Sequence, residues 1–287
     1  MTNNTPTNGT SMNNIRRLAF IGGGNMAAAL IGGLVKRGLP KDRVVVADPS
    51  PLQLERLVRD YGITTAPTNE SAVTGAEVVI LAVKPQQMRA VALGIAARLA
   101  QSNPLVISIA AGIPHAALMR WFGGRVAVVR TMPNRPALNG FGATGLYAPA
   151  SVGAANRALA EAILAAVSAT VWVEHESQMD TVTALSGSGP AYFFLFMEAL
   201  EAAAHARGLP TDVAHKLTLE TAFGASQMAR LSSESLSQLR DQATSKGGTT
   251  AAALDVLDAA GLRAIVAHAV AAADRRSAEL AAEYGTP

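Results

Sequence analysis

The chain has no cysteine among its 287 residues. Disulfide staples, thiolate nucleophiles and thiolate metal ligands are thereby excluded, although this absence alone does not define a compartment. Charge is also thin, at 16% of residues, and the net value is only +3. Lys and Arg stand singly or in pairs such as Arg16–Arg17 and Arg275–Arg276. Aromatic residues make up 5%, so no basic stripe interleaved with aromatics forms and a nucleic-acid partner is not expected. No apolar run approaches the ~20 residues that span a bilayer; the densest, at 191–197, is broken by Glu198. A soluble chain with no membrane partner is the expectation. No closely spaced His, Asp and Glu group resembles a ligand set, so no metal is expected either. The first fourteen residues are rich in Asn and Thr and lack the apolar core of a signal peptide. They predict a disordered tail over 1–14, ahead of an internal start near Met12, and a cytoplasmic location.

What is present is a pattern that changes once along the chain. Up to about Glu176, short β-branched runs alternate with helical stretches. Strands are predicted at 17–21, 44–47, 78–83, 105–109 and 126–130, with helices near 25–37, 52–61, 86–100 and 114–121 between them. Elements of these lengths in alternation indicate right-handed βαβ crossovers, a largely parallel sheet and an α/β fold. Two further strands, at 142–147 and 170–173, flank an alanine-rich helix over 152–167. After Glu176 the strand-like runs vanish. Alanine-rich helices continue to the end, punctuated by turn signals at Gly208–Pro210, Gly247–Gly248 and Gly261. Two domains are therefore expected, 15–176 and an all-helical 177–287. Within the second, Tyr192, Phe193, Phe194, Leu195, Phe196 and Met197 make a helix apolar on every side. Such a helix must be buried all round, and so small a helical half supplies only part of the cover. A homodimer through this half follows.

The stretch from Leu18 through Gly22, Gly24, Asn25 and Met26 to Ala27 joins a hydrophobic strand to a helix. It fits the dinucleotide fingerprint of a Rossmann-like, doubly wound sheet. Gly22 permits the tight turn, Gly24 admits the pyrophosphate to the backbone, and Ala27 lets helix and strand pack closely. The helix start then offers free N–H groups to the anion. The second strand ends in Asp48, placed to accept from ribose hydroxyls and favour NAD(H). Ser50 follows at a helix start, where a 2′-phosphate would be bound instead. These two signals conflict.

Further segments follow in order: Ala82-Val83-Lys84-Pro85 closes the third of these strands, and Ser108 to Gly112, including Ala110, closes the next. Met132-Pro133-Asn134-Arg135-Pro136-Ala137 follows the fifth, and Ser186-Gly187-Ser188-Gly189-Pro190-Ala191-Tyr192 and Thr244-Ser245-Lys246-Gly247-Gly248-Thr249-Thr250 lie in the helical half. With the glycine loop, they closely resemble the pyrroline-5-carboxylate reductases over essentially the whole chain after residue 15.

The resemblance implies an NAD(P)H-dependent oxidoreductase acting on a CH–NH bond. It would reduce the C=N bond of 1-pyrroline-5-carboxylate to L-proline, the last step of proline biosynthesis. It tilts the cofactor towards NADP(H) and adds Asn69 as an adenosine-ribose or 2′-phosphate contact. Ala82, Val83, Lys84, Pro85, Ala110, Gly112, Met132, Pro133 and Asn134 would border the cofactor at the sheet's carboxyl edge. Ser186, Gly187, Ser188, Gly189 and Pro190 would border the substrate and the dimer contact. Ser245, Gly247, Gly248 and Thr249 would hold the substrate carboxylate at the start of a helix beginning around Ala251, and Thr250 would approach the ring nitrogen as the catalytic residue. The same serine and threonines would also serve as plain helix caps, and Asn69 as another. Many family members close into larger rings of dimers, which the sequence leaves open. Two positions depart from the family pattern: Arg135 stands where threonine is usual, and Lys246 where proline is.

The chemistry agrees with the absence of a strong acid among these residues. A protonated imine is already electrophilic at carbon, so hydride transfer needs mainly positioning and charge management. None of the five histidines (His115, His175, His205, His215, His268) lies in a motif; all are read as structural or surface residues. Three alternatives remain at this point. A β-hydroxyacid dehydrogenase would need a catalytic lysine after a glycine-rich helical stretch, which Lys216 and Lys246 do not match. A reductase of the six-membered homologue is harder to separate. A nucleotide sensor would bind the cofactor without turnover.

Overall fold

Eight strands form one sheet in the order β3-β2-β1-β4-β5-β6-β7-β8 in a computed structural model that describes residues 14–285. The expectations for the tail and for Met12 lie outside the described residues, Asn14 apart. The strands are β1 (Leu18–Ile21), β2 (Val44–Ala47), β3 (Thr64–Thr65), β4 (Val78–Leu81), β5 (Leu105–Ser108), β6 (Ala127–Met132), β7 (Gly142–Tyr147) and β8 (Ser168–Trp172). All neighbours pair in parallel except β6 and β7. The order turns back between β1 and β4, which creates the crevice in which open α/β sheets bind ligands.

The β-branched runs form strands because both faces of the sheet are covered, as parallel sheets require. Side chains alternate between two cores. Leu18, Phe20, Val44 and Val46 face one side, with α1 (Asn25–Lys36), α2 (Pro51–Tyr61) and α6 (Ala154–Leu164) packed on it. Ala19, Ile21, Val45 and Ala47 face the other, covered by α3 (Asn69–Val73), α4 (Pro85–Ser102) and α5 (His115–Trp121). Two elements escape the sequence pattern. β3 is a two-residue edge with both threonines exposed, and α3 has only five residues, set by a capping box between Thr68 and Ser71.

The chain divides into two compact units. One runs to Ser188 and takes in the chain again from Ala273; the other is Gly189–Ala272. This differs from the division expected at 176/177. α7 (Gln178–Val182) and the π-helical turn Thr183–Gly187 remain with the sheet: Met179 and Ala184 are fully buried, and Val182 packs against Gly145 of β7. The last helix, α12 (Leu262–Tyr284), contributes to both units. Its final turns are tied to the sheet unit by Thr181 Oγ1 donating to Asp274 at 2.7 Å and Ser277 Oγ donating to Asp180 at 2.7 Å.

The second unit holds α8 (Gly189–Ala206), α9 (Thr211–Leu231), α10 (Leu236–Gln242), α11 (Thr249–Ala259) and the start of α12. It contains no strand. In the single chain Phe193 is 68% exposed, Phe194 59% and Leu195 68%, so the cover that an all-round apolar helix needs comes from outside this chain. Among the described residues, no single helix is long and apolar enough to cross a membrane.

Candidate active site

Gly22 sits where β1, β2 and β4 end together. Its N–H donates to Ala47 O at 2.8 Å, and its φ is +100°. A Cβ there would lie 2.6 Å from the Ala82 carbonyl oxygen, so the position admits glycine alone. The next two residues lead into α1. Gly24 is its N-cap, with no side-chain cap and no atom within 4 Å of where a Cβ would stand. The first turn contains no acid. Ala27 is fully buried against the sheet, while Asn25 is exposed and Met26 half-buried. A tight glycine turn, an open approach and an uncapped helix start fit a dinucleotide pyrophosphate.

Asp48 is built into this loop. Its Oδ2 accepts from Gly23 N–H at 2.7 Å and its Oδ1 from Ser50 N–H at 2.8 Å. Both oxygens thus brace the glycine loop against the start of α2, a task the sequence did not signal. Ser50 is the N-cap of α2 yet makes no side-chain cap, and Pro51 takes the first helical position. The hydroxyl of Ser50 is therefore not spent on its own helix. Asn69 is not a cap either: Thr68, one residue earlier, does that work through Ser71.

The other loops of the sheet unit gather at the same carboxyl edge. Ala82 and Val83 flank Gly22 directly. Lys84 is exposed and caps α4 through its backbone alone, with Pro85 starting the helix. Ala110 is buried, and Gly112 turns the chain at φ +70°.

Met132, Pro133 and Asn134 close β6 and meet the π-helical turn. Asn134 Nδ2 donates to Ser186 O at 3.0 Å, and its Oδ1 accepts from Ala143 N–H at 2.8 Å. Asn134 is 8% exposed, so its amide is a fixed clamp, not a free ligand group. A Cβ on Gly187 would lie 2.5 Å from the Met132 methyl, which makes the small residue a condition of this approach. The turn is π because Ser188 N–H donates to Thr183 O five residues back, at 2.8 Å; single π turns of this kind recur at functional sites. The Ser186 hydroxyl donates to Val182 O at 3.0 Å. Arg135, by contrast, is exposed just beyond the clamp.

In the helical unit, Gly247 turns the chain at φ +70° and Gly248 caps α11 without any side-chain hydrogen bond. The helix starts at Thr249, not at Ala251, so Thr249 and Thr250 occupy its first two positions. The Ser245 Oγ lies against Gly248 where a Cβ would stand. Neither Ser245 nor either threonine caps this helix. Thr249, Thr250 and Lys246 are exposed. Gly189 and Pro190 open α8 in the same unit.

The sheet unit also contains an ion pair with a buried arginine. Arg130 is 4% exposed, and its Nη1 donates to Glu176 Oε1 at 2.8 Å. The same oxygen accepts from His115 N–H at 2.6 Å. Burial pushes the His115 imidazole below its ordinary value, against the opposing pull of Glu176. Its Nε2 has no partner. Among the described residues there is no group of three or more His, Cys, Asp and Glu that could hold a metal.

The structure thus brings Gly22, Gly24, Asn25, Met26, Ala27, Asp48, Ser50, Ala82 and Val83 around one loop. It joins Met132 and Asn134 to Ser186 and Gly187, and sets Ser245 to Thr250 together within the helical unit. Gly23 and Ala143, whose N–H groups donate to Asp48 and Asn134, went unread because their partners lie 25 and 9 residues away, and the Thr68 cap went unread because its helix is too short to leave a pattern.

Residues 176–280 match the family described as pyrroline-5-carboxylate reductase dimerisation, and residues 17–112 that described as NADP oxidoreductase, coenzyme F420-dependent. Over 269 residues the chain is 48% identical to a pyrroline-5-carboxylate reductase of Pseudomonas aeruginosa, covering 94% of this chain and 98% of that one. A solved pyrroline-5-carboxylate reductase from Coxiella burnetii is 41% identical with a TM-score of 0.89, over 93% of this chain and 99% of that one. A Plasmodium falciparum pyrroline carboxylate reductase with NADP bound is 30% identical with a TM-score of 0.83, over 94% and 100%. The likeness runs through both units, and the chain belongs to the pyrroline-5-carboxylate reductase family.

Proposed function

We propose that this chain reduces the C=N bond of 1-pyrroline-5-carboxylate to L-proline, using a reduced nicotinamide cofactor and favouring NADPH over NADH. The observation that carries the reading is a pair of uncapped helix starts, at Gly24 and at Gly248, in a member of this family. Each leaves backbone N–H groups for an anion: the first suits a pyrophosphate, the second a carboxylate. When bound, the nicotinamide supplies a hydride to the imine carbon.

The chain's own residues bind and orient. Gly22, Gly24, Asn25, Met26 and Ala27 hold the pyrophosphate, with Asp48, Ser50 and Asn69 at the adenosine end. Ala82, Val83, Lys84, Pro85, Ala110, Gly112, Met132, Pro133 and Asn134 border the remainder of the cofactor. Ser245, Gly247, Gly248 and Thr249 receive the substrate carboxylate, and Ser186, Gly187, Ser188, Gly189 and Pro190 bound the ring. The Thr250 hydroxyl accepts a hydrogen bond from the protonated ring nitrogen. It orients an already charged iminium rather than supplying a proton. The working form is a homodimer through the helical unit, and the reading extends to a ring of such dimers.

Oxidation of NADPH and NADH with pyrroline-5-carboxylate, followed by absorbance, tests this in wild type and Thr250→Ala. Turnover is expected in wild type. The variant should lose about 10- to 100-fold in kcat/KM, the worth of one hydrogen bond to a charged group. Turnover with an unaffected variant removes the role of Thr250. Cofactor binding without turnover removes the reductase and leaves a nucleotide sensor.

A further inference from the structure

Arg56 is a charged side chain without a charged partner. It lies in α2, and its Nη1 donates to Asn25 Oδ1, at the first residue of α1, over 3.3 Å. The Nε and Nη2 atoms are closed off from water and have no hydrogen-bond partner. Among the described residues no carboxylate pairs with it, whereas Arg59 in the same helix is matched by Asp60. Nε and Nη2 form one edge of the guanidinium, the edge that grips a phosphate or carboxylate with two parallel N–H bonds. A guanidinium is always charged in a protein. Leaving two of its donors dry and unmatched is costly, so the resting position of this side chain is a poor one and an anion nearby would draw it out.

The surroundings specify which anion. Arg56 reaches the glycine-loop end of α1 from the helix that follows β2, the strand whose end faces the adenosine ribose in this fold. Asp48, the acid that would repel a ribose phosphate there, already directs both oxygens into the backbone N–H groups of Gly23 and Ser50. Ser50 keeps its hydroxyl free of its own helix, and the first turn of α2 contains no acid. Gln53, one turn before Arg56, has a buried Oε1 that is likewise unmatched; this oxygen would accept a guanidinium N–H once Arg56 moves.

We infer that Arg56 is the specificity-determining residue for the cofactor's 2′-phosphate: its Nε–Nη2 edge turns out to grip that phosphate beside Ser50. This rests on the proposed use of a nicotinamide cofactor and names the residue that chooses between its two forms.

The test is calorimetric binding of NADP+ against NAD+, and of adenosine 2′,5′-bisphosphate against 5′-AMP, to wild type, Arg56→Ala, Arg56→Gln and Arg56→Lys. Both neutral variants should bind the two 2′-phosphorylated ligands about 10- to 100-fold more weakly, with NAD+ and 5′-AMP held within about twofold. Lysine, which keeps the charge but not the fork, should fall between. Equal weakening of all four ligands would assign Arg56 to the shared pyrophosphate or to the fold and overturn the inference, as would no change at all. Far-ultraviolet circular dichroism identifies a variant that fails to fold, and the glutamine variant, closest in shape, then decides. No imino acid enters the measurement, so failure of the reductase reading would show in turnover and not here.

Discussion

At Gly22 the requirement is absolute in a way that few positions are. Its backbone conformation disfavours any side chain, and the space a Cβ would fill belongs to the Ala82 carbonyl. Gly22→Ala should destabilise the sheet unit by about 2–3 kcal/mol, from strain and backbone displacement together. Urea unfolding would show it, and a variant within experimental error of wild type would mean that the loop relaxes freely. Asp48 makes the complementary point. An acid at the end of the second strand is read from sequence as a ribose acceptor, and that reading is sound as chemistry. What sequence does not reveal is that two backbone N–H groups, 25 and 2 residues away, accommodate the same oxygens.

The element scale is where the Arg130–Glu176 ion pair acts. Glu176 joins β6 and α5 by accepting from Arg130 and from the His115 backbone. Glu176→Ala leaves Arg130 charged, 4% exposed and unmatched, and should cost about 3 kcal/mol in unfolding free energy. Removing Arg130 and Glu176 together should cost less than the sum of the single changes, which a double-mutant cycle measures. His115 supplies a pH dependence. Its folded pKa is depressed, so the unfolded chain takes up a proton before the folded one does as pH falls past 6.5. The stability it contributes is complete above that value and declines below it. Glu77 is held below its ordinary 4.5, first by the Arg16 backbone N–H, and so enters only at more acid pH. Stability measured from pH 7 downwards should therefore begin to fall below about pH 6.5, and His115→Asn should flatten that first decline. An unchanged slope would assign the decline elsewhere.

Elements also show what was legible. The strands at 44–47 and 142–147 have the predicted bounds, because a β-branched run between turn residues has few alternatives. β3 and α3 were not legible: two exposed threonines and a five-residue helix bury too little to leave an apolar pattern. The π turn was equally silent: the groups that meet it, Met132 and Asn134, lie far earlier in the chain.

For the whole molecule, the decisive feature is α8. Its phenylalanines and leucine stand exposed in the single chain, far more apolar surface than a monomer tolerates. Phe194→Glu should dissociate the homodimer, placing a charge in what is otherwise a dry contact. Sedimentation of wild type and variant would check this; an unchanged assembly would place the contact on another face.

The sequence by itself determined the alternating α/β unit, the helical unit, the glycine loop and the need for a partner, because periodicity, glycine placement and all-round apolarity are local properties. The tertiary structure alone decided where the compact units divide, how Asp48 is spent and that Asn134 clamps Ser186. It also left the Nε–Nη2 edge of Arg56 unmatched. Each of these depends on groups far apart in the chain competing for the same donors and the same space, and only folding settles which of them meet.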